Sequence, residues 1–114
     1  MRDTRERLLD MLDSIERIDK YAVRGQEAFE KDELIQPWIV HHLQVIGAAA
    51  SKLSADITNR HPEVPWRDII GMRQILVHDY IGVDLGIVWN VVSSHLPPLK
   101  TQIQRLLLVY PGVA

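Results

Sequence analysis

The residue types best suited to chemistry lie close together between residues 73 and 80. Arg73 follows Trp66, Ile69 and Ile70 at three- and four-residue steps, which places a guanidinium among apolar groups on one face of a predicted helix. Burying an unpaired cation costs on the order of several kcal/mol, so Arg73 must meet a carboxylate or an anionic ligand. Because the planar guanidinium matches two phosphate oxygens, Arg73 is a candidate phosphate ligand, with an internal ion pair as the alternative.

His78 is the candidate for proton transfer, since an imidazole can accept or donate a proton near neutral pH. It lies five residues after Arg73, which on a helix is about 7.5 Å of rise and about 140° of rotation. One chain therefore presents the two side chains on different faces. A two-fold dimer that packs this helix against its copy would bring them together, and so would local unwinding near Gly82. The alternative is that His78 has only a capping or hydrogen-bonding role.

Five helices are predicted to position these residues. Apolar residues recur with helical spacing over residues 5–22, 34–59, 66–80, 85–95 and 99–110. Pro65 suits the first position of the third helix, Asp84 is a good N-cap for the fourth, and Pro97 and Pro98 separate the fourth from the fifth. The prediction is an all-α bundle that forms one domain, residues 1–114, with residues 111–114 frayed.

Composition excludes several classes of function. The 114 residues include no cysteine, which rules out disulfides, thiolate zinc sites and thiol catalysis, and no metal site is predicted. Residues 1–33 hold seven Lys/Arg and ten Asp/Glu, whereas the other 81 residues hold only six and five. Such an apolar remainder indicates self-association, and the absence of a basic run argues against bulk binding of nucleic acid. With neither a signal peptide nor a membrane span in the sequence, we expect a cytoplasmic protein.

Two further histidines, the three tryptophans and Arg67 have weaker functional signals. His41 and His42 are about 100° apart on a helix, so they cannot hold one metal from one face, and packing or RNA contact is favoured. The three tryptophans, Trp38, Trp66 and Trp89, are predicted to anchor the core or a dimer interface. Arg67 either adds phosphate affinity or remains a solvated charge.

The order of these residues resembles a known family. Residues 64–80, VPWRDIIGMRQILVHDY, contain R-x4-H and its H-x-Y extension as Arg73, His78 and Tyr80. This stretch closely resembles the signature of the HepT-like HEPN-domain ribonuclease toxins. Residues 43–49 and 82–84 are similar to the same family, so the resemblance covers most of the chain.

The resemblance implies a five-helix HEPN fold, a homodimer and a metal-independent endoribonuclease in a type VII toxin–antitoxin pair. It implies that Arg73 and His78 are catalytic, without a cofactor, and that RNA is cut by its own 2′-hydroxyl. The implied antitoxin is a nucleotidyltransferase that adenylylates the hydroxyl of Tyr80. Gln74 and Asp79 are candidate supporting residues, and Asp79 either faces solvent or orients His78 of either subunit.

The sequence departs from the family pattern at two positions. Gln74 stands where family members often carry Asn, Asp or His, and Ala48 where they commonly carry an acidic residue. One alternative is therefore a catalytically silent HEPN module that binds nucleotide or its nucleotidyltransferase partner. A second is a plain helical interaction module in which Arg73 forms an internal salt bridge.

Overall fold

The computed structural model describes residues 3–78 and 84–111, and for residues 73–78 it describes only the backbone. The described residues contain seven α-helices and one π-helical turn, and no strand, which confirms the predicted all-α class. The helices are α1 (Thr4–Ala22), α2 (Gln26–Lys31), α3 (Ile35–Ser51), α4 (Ala55–Arg60), α5 (Trp66–His78), α6 (Leu85–Asn90) and α7 (Leu96–Val109), with the π-helical turn (Val91–His95) between α6 and α7.

Two polar contacts show that α1 and α3 pack antiparallel. Ser14 Oγ lies 3.1 Å from His42 Nδ1, and the indole N–H of Trp38 donates to the carbonyl of Arg17 at 3.0 Å. Moving towards the end of α1, from Ser14 to Arg17, the partner residue moves towards the start of α3, from His42 to Trp38. Both contacts satisfy polar groups that packing would otherwise leave without a partner.

Contacts between α1 and α7 show the same antiparallel arrangement. Lys100 Nζ donates to the carboxylate of Asp19 at 3.1 Å near the end of α1. At its other end, Arg5 donates to the carbonyls of Leu107 and Tyr110, at 2.9 and 3.1 Å. These carbonyls belong to the last turn of α7 and to its C-cap residue. Acceptors at the end of a helix have no partner within it, so a guanidinium is a suitable cap.

The start of α5 lies at the same end of the bundle as the end of α7. His61 Nε2 and the hydroxyl of Tyr110 share a 2.8 Å hydrogen bond, and the indole N–H of Trp66 donates to the carbonyl of His61 at 2.9 Å. From this end α5 runs back along α3. The four long helices thus alternate in direction, as expected of helices joined by short connections.

A contiguous cluster of buried apolar side chains joins the four long helices. The described side chains of α1, α3 and α7 bury the positions that their three- and four-residue apolar spacing selects. Phe29 of the short helix α2 closes one side of the cluster, with its ring centroid 5.7 Å from that of Trp89. The residues of this cluster that are least exposed to solvent include Leu8, Met11, Ile15, Ile18, Phe29, Ile39, Leu43, Ile46, Leu96 and Ile103.

The predicted second helix, residues 34–59, is wrong as a single element. The structure ends α3 at Ser51, and α4 begins again at Ala55. Ser54 has an extended backbone and its hydroxyl accepts from the backbone N–H of Ile57, so it caps α4 and separates the two helices. The short helix α2 was also not predicted as a helix.

The predicted break at Pro97 and Pro98 is also wrong. The chain passes through the π-helical turn directly into α7, and both prolines lie in the first turn of that helix. The first-turn amides of a helix have no partner within it, so a proline is tolerated there. The predicted cap of the preceding helix is confirmed, since the Asp84 carboxylate accepts from the backbone N–H groups of Gly86 and Ile87, at 2.7 and 3.2 Å. Every helix in the described part of the chain is too short or too polar to cross a bilayer.

The buried imidazole of His42 predicts a loss of stability in acid. Burial, followed by the charges of His41 and Arg17, lowers the pKa of His42 below its ordinary value of 6.5. The unfolded chain therefore binds more protons as the pH falls through 6.5. We expect the free energy of unfolding to decrease from that pH down to the folded-state pKa of His42, and to level off below it.

Urea unfolding of the wild type and His42→Gln between pH 8 and pH 5 tests this expectation. Glutamine can still hydrogen-bond to Ser14 but cannot titrate, so the variant should lose less stability on acidification than the wild type. His95→Gln, which removes an exposed imidazole, is the control. Equal pH dependence in the wild type and His42→Gln would show that His42 does not couple protonation to folding.

Candidate functional site

The beginning of α5 is held by buried contacts. Val64 and Trp66 are almost completely buried, and the backbone N–H of Ile69 donates to the carbonyl of Pro65 at 3.1 Å. With the indole of Trp66 bound to the carbonyl of His61, the first turn has little freedom to rotate. The predicted start of the third helix at Trp66 is confirmed, and the rotational setting of everything that follows on α5 is fixed there.

The predicted catalytic positions both lie on this helix. The backbone is α-helical without interruption through His78, so Arg73 and His78 are separated by about 7.5 Å of rise and about 140° of rotation. Arg73 continues the helical stripe whose earlier members, Trp66 and Ile69, are buried. The described helix thus places the two positions on different faces, with no unwinding between them.

The remaining predicted site residues are less fully described. Gln74 follows Arg73 on the α5 backbone. Asp79 and Tyr80 lie outside the described residues, and so does Gly82, the predicted position of local unwinding.

An open groove of about 1150 Å³ runs beside α5. Its walls are side chains of α3 and α5 on one side and of α6, the π-helical turn and α7 on the other. Most are apolar, and Ile87 remains 66% exposed. The apolar lining residues are Leu43, Ile46, Pro65, Ile69, Met72, Ile87, Val88, Val91, Leu96, Pro98 and Leu99.

The described charges of the groove do not favour a polyanion. Glu63, Asp68 and Asp84 contribute three carboxylates to the lining, and Arg67 contributes one guanidinium. The Asp84 carboxylate already caps α6, whereas Arg67 is exposed and no described carboxylate forms an ion pair with it. An apolar partner surface fits this part of the groove better than a nucleic acid does.

Gly71 lies on the groove side of α5 and has no neighbour that requires glycine. A Cβ built on Gly71 would meet no atom within 4 Å. Glycine within a helix costs about 1 kcal/mol relative to alanine. Since packing inside the described chain does not explain the residue, Gly71 leaves room for an approach from outside the chain.

The groove was not predicted from the sequence, although two signals for it were present. One was a glycine in the middle of a predicted amphipathic helix, and the other was the apolar run of residues 87–89. Trp66 is buried, as a core anchor should be, while Trp38 and Trp89 are half-buried and pack against the core. Among the three tryptophans, only Trp66 is thus a buried core residue, as predicted for a core anchor.

The chain is similar to proteins and to a family model that are named as ribonucleases. The family model described as "Ribonuclease HepT-like" matches residues 11–106. The chain is 33% identical over 106 residues to "Probable ribonuclease HepT" of Thermococcus cleftensis, covering 92% of this chain and 96% of that protein. It is 36% identical over 81 residues to a protein of Caldanaerobacter subterraneus named "Putative RNase", covering 71% of this chain and 72% of that protein.

One relative is much longer. A Methanocaldococcus jannaschii protein named "Gamma-glutamylcyclotransferase and putative RNase" is 31% identical over 107 residues, covering 93% of this chain and 48% of that protein. The chain thus spans about half the length of this relative. No solved structure matches the chain. The family match over residues 11–106, which includes α5 and its R-x4-H residues, shows that the chain belongs to the HepT-like ribonuclease family.

Proposed function

We propose that this protein is a metal-independent endoribonuclease and acts as the toxin of a type VII toxin–antitoxin system in the cytoplasm. The observation that carries the proposal is the R-x4-H spacing of Arg73 and His78 on an unbroken helix of a HepT-like chain. Relatives of nearly equal length are named as ribonucleases. An arginine and a histidine suffice for transesterification of RNA, which needs a phosphate ligand and a proton acceptor and donor.

The active form is proposed to be a homodimer. Because one helix places Arg73 and His78 on different faces, a complete site needs Arg73 of one subunit and His78 of the other. Three features of the described residues beside α5 support close packing of a second copy there: the open apolar groove, the exposed Ile87 on the α6 wall of that groove, and the space at Gly71. A two-fold axis would then create two equivalent sites.

In the proposed reaction, His78 accepts the proton of the ribose 2′-hydroxyl as its oxygen attacks the adjacent phosphorus. Arg73 binds the non-bridging phosphate oxygens, which gain negative charge in the transition state. The bond from phosphorus to the 5′-oxygen breaks, and that oxygen takes a proton from an imidazolium. The products are a 2′,3′-cyclic phosphate and a 5′-hydroxyl, so no water or metal enters this step.

Two neighbouring residues have proposed supporting roles. Gln74 presents an amide that can hydrogen-bond to RNA or to the phosphate-binding guanidinium. Asp79 would accept a hydrogen bond from His78 and fix the orientation of its ring, in either subunit. Neither residue carries the reaction, so Gln74 does not by itself make the chain a silent module.

Substitution of His78 or Arg73 should abolish most RNA cleavage. We expect His78→Ala to lower the rate by about 100- to 10,000-fold, the usual effect of losing a general acid or base. Arg73→Gln should have an effect of similar size, because it removes roughly a few kcal/mol of transition-state stabilisation. The measurement is the initial rate of cleavage of a labelled RNA, with dimerisation checked by light scattering. Arg60→Gln is the control, since Arg60 pairs with Asp56 on the exposed surface of α4.

The same assay separates this mechanism from the alternatives. An all-deoxy substrate should remain intact because it lacks the nucleophile, and a chelator should leave the rate unchanged. Cleavage of the deoxy strand, or its loss in chelator, would contradict the mechanism. A wild-type protein that binds RNA or nucleotide but never cleaves would instead support the silent binding module.

Tyr80 is the proposed point of regulation. It lies two residues after His78 and seven after Arg73. We propose that a nucleotidyltransferase antitoxin transfers AMP from ATP to the Tyr80 hydroxyl, with pyrophosphate as the leaving group. The added phosphate would place negative charge next to Arg73 and His78, repel the RNA backbone and silence the enzyme.

Mass spectrometry after incubation with the cognate nucleotidyltransferase and ATP tests this regulation. The wild type should gain mass in whole AMP units and lose its ribonuclease activity. Tyr80→Phe should remain unmodified and active. Tyr110→Phe, which removes the hydroxyl bonded to His61, is the matched control and should still be modified. Equal AMP incorporation into Tyr80→Phe and the wild type would rule out Tyr80 as the acceptor.

A further inference from the structure

We propose that a second surface, on α1 and α3, binds single-stranded RNA outside the Arg73–His78 site. This inference takes its ligand from the proposed ribonuclease function, but its evidence comes from other residues. We name the surface the α1–α3 patch. It consists of three cations and three rings, namely Arg17, Lys20, Arg24, Tyr21, Trp38 and His41.

The rings of the patch form a continuous series with His42 as its buried member. Tyr21 and Trp38 meet edge to face with centroids 5.6 Å apart. The Trp38 ring lies 4.6 Å from His42, whose ring is 4.9 Å from that of His41. Since the Trp38 indole N–H is already bound to the Arg17 carbonyl, the ring is fixed in place. His41 is exposed, and Tyr21 and Trp38 are half-buried, so parts of three rings remain open to a ligand.

Two of the cations are held by a ring instead of a carboxylate. Arg24 Cζ lies 5.1 Å and Lys20 Nζ 5.7 Å from the centroid of the Tyr21 ring. Both side chains are exposed, and neither forms an ion pair with a described carboxylate. A cation–π contact orders a cation without neutralising it. Lys20 and Arg24 therefore present ordered positive charge, without a direct ion pair to a described carboxylate, beside an aromatic surface.

The charge on α1 changes sign along one helical stripe. Residues 6, 10 and 13 of the stripe are acidic and residues 17 and 20 are basic, and basic Arg24 follows in the turn directly after α1. Asp13 is engaged by Arg17 at 2.9 Å. Helix α3 contains no Asp or Glu, so Trp38 and His41 come from an element without competing acidic groups. Positive charge therefore dominates this half of the stripe.

Acidic residues do occur at the margins of the patch. Glu16 is exposed on α1 within helical reach of Lys20. Near Arg24, the carboxylate of Asp32 accepts from the backbone N–H groups of Leu34 and Ile35, at 2.8 and 3.3 Å, and Glu33 lies at the edge of the same shallow hollow. These groups restrict the positive region to the area around Tyr21 and Trp38.

Rings combined with unpaired cations favour single-stranded RNA over other anions. Exposed bases stack on aromatic rings while cations contact the phosphates, whereas the bases of a duplex already stack on one another. The patch is on the side of α3 that lies next to α1. The groove is on the side of α3 where Leu43 and Ile46 face α5. RNA bound to the patch would therefore leave the proposed dimer surface free. Trp38 is also at the end of the bundle where α5 reaches His78, so one strand could extend to the catalytic end.

Binding measurements with an uncleavable 2′-O-methyl oligonucleotide test the proposal. Fluorescence anisotropy would compare the wild type with Lys20→Gln/Arg24→Gln and with the control Lys52→Gln/Arg105→Gln, which removes the same charge from exposed residues elsewhere. We expect the patch variant to weaken single-strand binding tenfold or more and to reduce the slope of log K against log salt by about 1.4, at about 0.7 per phosphate. His41→Ala should reduce the preference for the single strand over its duplex.

The outcomes distinguish this proposal from the proposed function. Equal weakening by the patch and control variants would overturn the patch, and so would equal affinity of the wild type for single strand, duplex and inorganic polyphosphate. With cleavable RNA, the patch variant should have a raised KM and an unchanged kcat. Wild-type protein that binds through the patch but never cleaves would overturn the ribonuclease function alone. Cleavage with a KM unaffected by the patch variant would overturn the patch alone.

Discussion

The geometry of a single α-helix constrains the catalytic site proposed for this protein. An uninterrupted helix from Trp66 to His78 turns Arg73 and His78 about 140° apart, and no rotamer of either side chain changes the directions of their Cα–Cβ bonds. In the proposed site, a phosphodiester held by Arg73 would therefore be met by His78 of a second copy of the helix. The proposed dimer follows from that separation and requires a surface on which two copies of α5 can meet.

The rest of the bundle determines which surface that is. The buried Trp66 and its bond to His61 fix the rotation of α5 at its start, and α3 covers one side of the helix. The side towards α6 and α7 is left as an open apolar groove. Because Gly71 lies on that groove and an added Cβ would meet no neighbouring element of the described chain, a copy of the helix would have room to approach closely. In the proposed dimer, core packing and assembly would thus use opposite sides of α5.

Much of the fold was predictable because the apolar spacing of the long helices is regular. Local signals that act within one turn also succeeded, as with the start of α5 after Pro65 and the Asp84 cap. The predictions failed where a local capping or helix-breaking signal conflicted with the longer apolar spacing of a helix. Ser54 caps a new helix inside an apolar run, and Pro97 and Pro98 are accommodated in a first turn after a π-helical turn.

The candidate site was predictable to a different extent. The motif spacing identified Arg73 and His78, and the helix that carries them begins where expected. The shape of the groove was not predictable, because its walls come from three parts of the chain whose mutual positions no local pattern specifies, and the glycine and the apolar run indicated only an exposed apolar surface. The α1–α3 patch is a similar case. His41 and Trp38 were recognised only as separate residues, and their connection to Tyr21 depends on the antiparallel packing of α1 and α3.

Mixing two inactive variants tests whether the catalytic site is shared between two subunits. Arg73→Ala and His78→Ala proteins would be unfolded together, refolded and assayed for RNA cleavage beside each variant alone. If the residues act across the interface, a mixed dimer contains one site with both residues intact, and the mixture should recover about one quarter of wild-type activity. A mixture that forms mixed dimers but cleaves no faster than either variant alone would contradict the shared site.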